Sequence, residues 1–219
     1  MKLHLSFLFF FSLVLFSCEP AIKGNERSFV EGTVLDFEGN AIANVSVTSR
    51  TQNLLLGKGT TDSNGNFEFT SLQSRFSEFI VDVNTENDNS PFGMYSIIYS
   101  DNPLQLNYNL SNITLRRKAS LVFNIKKTSN ENNTLDWSLQ YTEPTCEVYD
   151  DEETNESLGR CYETGSFEGT LDNTNPDFES EFTSVQNTTV QFTYQLNNTE
   201  PQTISIELTE ATNFYEFEY

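Results

Sequence analysis

The chain has only one histidine, His4, and that residue lies within the apolar stretch at the N-terminus. The chain beyond that stretch therefore has no imidazole, which excludes Ser-His-Asp and Cys-His catalysis, histidine zinc sites and the commonest general base. It also has no glycine-rich phosphate loop, no Cys-x-x-Cys pair and no nucleophile elbow. An enzyme built from it would depend on carboxylates, lysine or tyrosine, and we expect a protein that is not an enzyme.

Positive charge is almost absent from the second half of the chain. Residues 1–127 carry 11 Lys and Arg against 12 Asp and Glu, whereas residues 128–219 carry one, Arg160, against 20. A half this acidic repels nucleic acid and anionic lipid headgroups, so neither is expected to bind it. The contrast also indicates two domains, since 219 residues suffice for two cores of about 100 residues each.

Cysteine is rare, and the first of the three cysteines follows an export signal. Lys2 precedes an apolar run from Leu3 to Phe16, and the small residue Ser17 stands before Cys18. This order resembles a bacterial lipoprotein signal comprising residues 1–17. The resemblance implies that Cys18 carries acyl chains and anchors the protein to the outer membrane, on its periplasmic or cell-surface face. The alternative is a plain secretory peptide in which Cys18 has no such role.

The other two cysteines, Cys146 and Cys161, remain as a pair in an exported chain. An oxidising compartment favours a disulfide between them, and two free thiols are the alternative. Closing a loop of this size would stabilise the protein by about 3 kcal/mol through the unfolded state.

Short runs of β-branched and aromatic residues, separated by Gly, Asn and Asp, predict an all-β protein with two sandwiches. Signals for helices are almost absent, and Asn64-Gly65 is a strong hairpin signal. The strands predicted in the first half are 28–35, 44–51, 55–62, 66–70, 78–85, 94–99 and 104–115. Residues 18–27 have no apolar period and are predicted to be a tether.

Three segments carry a family resemblance: Val30–Asp36, Gly39–Val47 and Thr61–Phe69. Their ordered glycines, turn residues and alternating strands resemble the carboxypeptidase regulatory-like family. Modules of that family look like transthyretin, a seven-stranded antiparallel sandwich, and are not catalytic. The resemblance covers residues 28–115 and implies a spacer or docking module there, with no substrate residues to carry over.

Residues 119–219 are predicted to form a second, immunoglobulin-like sandwich that includes the disulfide-closed loop. Its predicted strands are 119–125, 135–142, 161–167, 178–183, 188–196, 203–209 and 214–219. Trp137 is expected to fill the core of this sandwich, and a carbohydrate-stacking platform is the alternative.

Two acidic clusters were considered as metal sites. Asp150-Asp151-Glu152-Glu153 has four adjacent acids without a calcium-loop pattern, which favours a solvated loop. In the second cluster, alternate oxygen side chains can converge around a tight turn, which makes it a candidate calcium site with a solvated turn as the alternative. Its candidate ligands are Asp172, Asn175, Asp177 and Glu179.

The expected function follows from these features. We expect a lipid-anchored envelope protein that binds or scaffolds, with the first domain as spacer and the second as recognition module for an envelope protein or a glycan. A carboxylate-dependent hydrolase and a structural subunit of a surface assembly are the alternatives. The basic clusters Arg116-Arg117-Lys118 and Lys126-Lys127 are interpreted either as a docking patch for lipid A or an acidic partner, or as charges that solvate strand ends and face the acidic second half. The first cluster is expected at the domain junction.

Overall fold

The structure is a computed structural model that describes residues 22–74, 78–85, 90–100, 105–151 and 156–219. Throughout these residues the regular secondary structure is β-strand, as the sequence predicts. No helix within them is long and apolar enough to span a bilayer. The first seven strands are β1 (Ile22–Asp36), β2 (Ser46–Thr51), β3 (Leu54–Thr60), β4 (Asn66–Ser74), β5 (Phe79–Val83), β6 (Met94–Tyr99) and β7 (Asn107–Leu115).

These seven strands equal in number those predicted for the first half of the chain, and they form most of the first sandwich. One sheet has the order β4-β1-β7, and the opposite sheet contains the run β6-β5-β2-β3. Strand β4 alternates buried and exposed residues, as period-2 patterning requires of a strand with one face in the core. All five residues of β5 are buried. The core is built around Val30, Val34, Val47, Val81 and Ile113.

Strand β1 begins earlier than the sequence predicts. Residues 22–27 were expected to belong to a tether, but they continue β1 along β4, with a register shift between Ile22 and Arg27. Ile22 pairs with Ser74 and packs against the core of the first sandwich. The tether prediction is therefore wrong for residues 22–27, because one apolar side chain and a partner strand suffice to extend the ladder.

The Asn64-Gly65 turn is present, but it does not close a hairpin ladder. Gly65 has φ +77°, and a Cβ there would lie 2.4 Å from the carbonyl oxygen of Val34. The strands on either side of the turn belong to different sheets, since β3 pairs with β2 and β4 pairs with β1. Asn-Gly thus specifies the tight reversal correctly, while the burial of Phe67 and Phe69 directs β4 into the other sheet.

The second sandwich has seven strands in two sheets. Their orders are β12-β9-β14-β15 and β13-β8-β16. The strands are β8 (Lys118–Lys126), β9 (Leu135–Thr142), β12 (Thr164–Leu171), β13 (Phe178–Val185), β14 (Thr189–Leu196), β15 (Gln202–Glu207) and β16 (Thr212–Glu218). Phe123 and Phe192 are fully buried at its centre, with ring centroids 5.0 Å apart.

The two remaining strands, β10 (Thr145–Asp151) and β11 (Glu156–Cys161), do not join the second sandwich. Strand β10 runs parallel to β6, so the hairpin extends the sheet of the first sandwich to the order β11-β10-β6-β5-β2-β3. The assignment of the disulfide-closed loop to the second domain is therefore wrong. Each folded unit is therefore discontinuous in sequence. The first sandwich is built from residues 22–115 and 145–161, and the second sandwich from residues 118–142 and 164–219.

Candidate functional site

The hairpin β10–β11 joins the two sandwiches, and its disulfide confirms the predicted pairing. Cys146 and Cys161 are directly opposite in the ladder and are covalently linked. Cys146 is buried, while Val148, two residues along on the same face, packs against the core of the first sandwich. This apolar alternation within an acidic segment is the signal that could have revealed β10 from the sequence.

The chain crosses between the sandwiches three times at one place, which we call the junction: residues 115–118, 142–145 and 161–164. Backbone hydrogen bonds connect the first two crossings to residues 91–94 of the first sandwich. Gly93 donates its N–H to the carbonyl of Arg116 at 2.8 Å, and Lys118 donates to Pro91 at 2.7 Å. Met94 donates to Pro144 at 3.0 Å. A junction with three connections and shared backbone hydrogen bonds resists the swivelling that a single linker permits.

Gly93 makes the closest approach at the junction. A Cβ at this position would lie 2.0 Å from the carbonyl oxygen of Pro144, so only glycine fits. Buried Asn84 fixes the segment from the other side, since its Nδ2 donates to the carbonyls of Phe92 and Gly93 at 2.9 Å each. Asn84 itself has φ +65°, a conformation that asparagine tolerates better than most residues.

Arg116 lies between two aromatic rings that come from different parts of the chain. Its guanidinium carbon is 4.5 Å from the ring centroid of Phe37 and 4.8 Å from that of Tyr162. Tyr162 follows β11, and its hydroxyl donates to the carbonyl of Thr114 at 3.2 Å. Cation–π contacts of this kind contribute about 0.5–2 kcal/mol each, depending on how far they are desolvated. We call this arrangement the arginine clasp.

The pKa values of two groups at the junction are shifted. Burial raises the pKa of the Tyr162 hydroxyl, and the nearby Arg116 only partly opposes the shift, so the phenol stays neutral. For Asp36, burial raises the pKa, but hydrogen bonds from Asn40 and the charge of Arg117 lower it by more, so the net shift of the pKa is downward. The Asp36 carboxylate accepts the backbone N–H of Asn40 at 2.7 Å, which fixes the turn beside the clasp.

The first basic cluster lies at the junction, as expected, but its arginines contact aromatic rings. The guanidinium carbon of Arg117 lies 4.7 Å from the centroid of Phe92, and no carboxylate of the described chain is within salt-bridge distance of Arg116 or Arg117. In the second cluster, Lys126 forms an ion pair with Glu216. The ammonium of Lys127 lies 4.9 Å from the ring centroid of Tyr219.

The outer face of the six-stranded sheet carries an ion pair between the buried carboxylate of Asp82 and the partly exposed Arg50. Arg50 Nε donates to Asp82 Oδ2 at 2.5 Å, and Ser96 Oγ donates to Asp82 Oδ1 at 2.6 Å. Asp82 is thus held by partners on both neighbouring strands, which satisfies a charge that would otherwise be costly to bury. These contacts give this network a structural role in the sheet.

A shallow polar cleft of about 700 Å³ lies on the outer face of the three-stranded sheet. Glu31 and Glu68 are directly opposite on β1 and β4, and Asn109 Nδ2 donates to Glu31 Oε1 at 3.1 Å. The cleft offers hydrogen-bonding groups, and its lining contains no imidazole or thiol. It is lined by Glu31, Gly32, Thr33, Thr60, Asp62, Asn66, Phe67, Glu68, Asn109, Ser111 and Asn112.

The candidate calcium ligands do not form a metal site. Asp172 Oδ1 accepts the backbone N–H of Thr174 and Asn175, and these bonds lower the pKa of its carboxyl. Asp177 accepts the backbone N–H of Lys127, and Glu179 is an exposed residue of β13. Across the described residues, no group of three or more Asp, Glu, His or Cys side chains is placed to hold a metal ion. Asp172 thus binds the backbone of its own turn, and Asp177 binds the backbone of the segment after β8.

Trp137 fills the core of the second sandwich, as predicted. Only 4% of its surface is exposed, and its ring centroid is 4.5 Å from that of Phe178. Gly169 lies across the indole, where a Cβ would be 3.1 Å from Nε1. The alternative of a carbohydrate-stacking platform is wrong because the indole faces are covered.

Several predicted features lie outside the described residues. These are the signal at residues 1–17, the lipidation site Cys18, and Glu152 and Glu153 of the first acidic cluster. The junction, in contrast, was found only in the structure. Neither Gly93 nor Phe37 stands out in the sequence, because their partners are far away along the chain.

Comparisons with known proteins give matches to solved structures only at low identity and low TM-score. No protein-family model matches the chain, and no curated protein matches its sequence. Among solved structures, the Bacillus anthracis TIE protein is 12% identical with a TM-score of 0.35, over 89% of this chain and 34% of that chain. A streptococcal ancillary pilin is 10% identical with a TM-score of 0.27, over 90% of this chain and 63% of that one. The major pilin subunit of Bacillus cereus is 8% identical with a TM-score of 0.30, over 82% of this chain and 67% of that chain. The chain thus spans about a third of the TIE protein.

Proposed function

We propose that this chain is a non-catalytic envelope protein, anchored to the outer membrane through Cys18, whose two sandwiches form one stiff support. The observation that carries the proposal is the junction, where three chain crossings, the β6–β10 ladder and the arginine clasp meet. A stiff support must keep its far end at a fixed distance and orientation relative to its membrane anchor. A junction of this kind does so, whereas two domains on one flexible linker would not.

The order of the chain agrees with this role. Only residues 19–21 separate Cys18 from the start of β1 at Ile22. The first sandwich would therefore stand close to the membrane, with the second sandwich beyond the junction. In this proposal the first sandwich, which resembles a carboxypeptidase regulatory-like module, is the spacer.

The second sandwich would provide the recognition surface. All but one of the charged residues in 128–219 are acidic, which favours an envelope protein or a glycan as partner over nucleic acid or an anionic lipid surface. The pKa values of Asp36 and Asp172 are lowered by hydrogen bonds within their turns, so these two carboxylates have a structural role.

The C-terminal strand was considered as an element that could build a surface assembly. Strand β16 is at the edge of its sheet, and Phe214 is 76% exposed. However, Tyr215 and Phe217 already pack into the core of their own sandwich. Glu216 and Glu218 lie on the outer face, where edge charges disfavour strand addition. The edge therefore does not favour a subunit that donates or accepts strands.

The test is a distance measurement between the two sandwiches. Spin labels at Ser63→Cys and Glu200→Cys, both exposed turn positions, would be placed in a full chain that carries Cys18→Ser to prevent labelling there. We expect one narrow distance distribution. In a Gly93→Val variant, whose side chain collides with Pro144, the distribution should broaden. A broad distribution in the parent chain would contradict the role as a stiff support.

A further inference from the structure

A small pocket of about 220 Å³ lies at the junction, between the first turn of the first sandwich and the loop after β13. Its volume is below the roughly 300 Å³ at which pockets for drug-sized ligands begin, so it fits one small chemical group. It is lined by Phe37, Glu38, Arg116, Arg117, Val185, Gln186 and Asn187. We call it the arginine pocket.

The two arginines of the pocket are held by aromatic rings. Arg116 stacks between Phe37 and Tyr162, and Arg117 stacks on Phe92. A guanidinium whose faces are covered by rings keeps its N–H donors in the plane between them, at its edge. Within the described residues, neither side chain donates a hydrogen bond and neither forms an ion pair. Two cations thus line the same pocket with unused donors: Arg116 is half-buried and contacts two rings, whereas Arg117 is exposed and has one ring contact.

The other polar groups of the pocket are mostly occupied. Gln186 Nε2 donates to the carbonyl of Thr209 at 2.9 Å, and its backbone N–H donates to the carbonyl of Arg117. The exposed side chain of Asn187 adds an amide donor at a residue with φ +60°. These bonds fix the loop that closes the second side of the pocket.

Two carboxylates lie near the pocket and must be weighed against its positive charge. Glu38 is exposed on the rim and forms no ion pair with either arginine. Asp36 lies two residues earlier, and both of its carboxylate oxygens accept hydrogen bonds from Asn40. Neither carboxylate therefore takes the guanidinium donors.

We propose that the arginine pocket binds a phosphate monoester. Two guanidinium groups match the charge of about −1.5 to −2 on such a group, and each offers the planar fork that binds phosphate oxygens in pairs. A carboxylate supplies one negative charge and would leave the second arginine without a partner. The pocket shares Arg116 with the clasp, but the support role needs no ligand, so the two proposals can fail separately.

The proposal can be tested by titrating the full chain carrying Cys18→Ser with inorganic phosphate, followed by NMR. We expect saturable binding with a dissociation constant of about 1 mM at low salt. Arg117→Gln should weaken binding at least about tenfold, because it removes one fork from the site. Arg160→Gln changes the net charge by the same amount outside the pocket and should alter binding less than about twofold.

Thermal melts of the variants separate loss of binding from loss of folding. Arg117→Lys serves as a second variant because it keeps the charge but loses the fork and the planar stacking on Phe92, and it should bind several-fold more weakly. Equal losses in Arg117→Gln and Arg160→Gln would overturn the proposal, since they would show a general charge effect. Absence of saturable binding, or equal affinity for acetate, would also overturn it.

Two further arms distinguish the source of the phosphate group. Glucose 6-phosphate presents it in solution, and vesicles containing phosphatidic acid present it on a membrane. Stronger binding to the sugar phosphate than to inorganic phosphate would support a soluble ester as ligand. Binding to the vesicles that depends on Arg117 would support a lipid headgroup. Failure of every phosphate arm, with narrow spin-label distances retained, would refute the pocket and leave the support role standing.

Discussion

Cys146 and Cys161 lie directly opposite each other in the β10–β11 ladder, and their disulfide closes a hairpin that belongs to the first sandwich. The covalent link is therefore next to the junction, where the two sandwiches share backbone hydrogen bonds. Its loss should affect both the stability of the hairpin and the coupling between the sandwiches.

The first prediction concerns this disulfide. Cys146→Ser combined with Cys161→Ser should lower the free energy of unfolding by about 3 kcal/mol, because the unfolded chain loses a closed loop with a sequence separation of 15. Denaturant unfolding of both proteins measures the difference. The reduced parent protein is the control and should match the double variant. Equal stability of the oxidised parent and the variant would show that the bond contributes nothing.

The second prediction concerns Gly93. Gly93→Ala should destabilise the protein by about 1–3 kcal/mol, because the new Cβ would lie 2.0 Å from the carbonyl oxygen of Pro144. Gly159→Ala in β11 is the matched control, since its Cβ would meet its nearest neighbour at an ordinary 3.7 Å. The control should change the free energy of unfolding by less than about 0.5 kcal/mol. Similar values for both variants would contradict the close approach at the junction.

The third prediction concerns the core of the second sandwich. Trp137→Ala should lower the free energy of unfolding by about 3–5 kcal/mol, because it leaves a cavity among buried aromatic rings. Phe214→Ala removes a ring that is 76% exposed and should have an effect within about 0.5 kcal/mol. Chemical denaturation of the two variants provides the comparison. A small effect of Trp137→Ala would mean that the indole is not a core residue.

The fourth prediction concerns acid stability. The pKa of Asp36 is lower in the folded protein than its ordinary value of 3.8, so its ionised form stabilises the fold. That contribution is fully present above the unfolded pKa and is lost as the pH falls through the folded pKa. Asp36→Asn should therefore be less stable than the parent at neutral pH, and the difference should shrink below about pH 4. A difference that is independent of pH would argue against this origin.

The fifth prediction concerns anchoring. Cys18→Ser should abolish incorporation of labelled fatty acid and move the protein from the membrane fraction to the soluble fraction, because it removes the acceptor of the acyl chains. Ser17→Ala keeps a small residue before Cys18 and should still be labelled. Unchanged membrane retention of Cys18→Ser would refute the lipoprotein proposal.

Much of the fold follows from local patterns in the sequence. Alternation predicts β6 and β9 with their observed bounds, Met94–Tyr99 and Leu135–Thr142, and places most other strands within a few residues. These strands have one buried face and one exposed face, so each carries its own signal. Trp137 was likewise identified as a core residue because large aromatic side chains in strands are seldom left in water.

The hairpin β10–β11 could not be placed in the same way. Asp150 and its acidic neighbours dominate the segment, and they conceal the alternation of Cys146 and Val148. The hairpin joins the first sandwich because the edge of β6, about 50 residues earlier, is free to pair with β10. The local sequence of the hairpin does not indicate which distant strand it will pair with. The same reason explains the arginine clasp, which joins Phe37, Arg116 and Tyr162. Cutting the chain at residue 115 would leave β10 without its partner strand, so the sandwiches are not separable at the predicted boundary.

The order in which the strands of the six-stranded sheet occur along the chain has a consequence for biogenesis. A growing polypeptide emerges N-terminus first, so β6 is available well before β10. Until Thr145 has emerged, the edge of β6 stays open and able to pair with any extended chain nearby. During that interval β8 and β9 also emerge, but the second sandwich needs β16 to complete its three-stranded sheet. The first unit therefore completes its larger sheet only once β11 has emerged, and the second unit only once β16 has emerged, so strand edges stay exposed for much of synthesis.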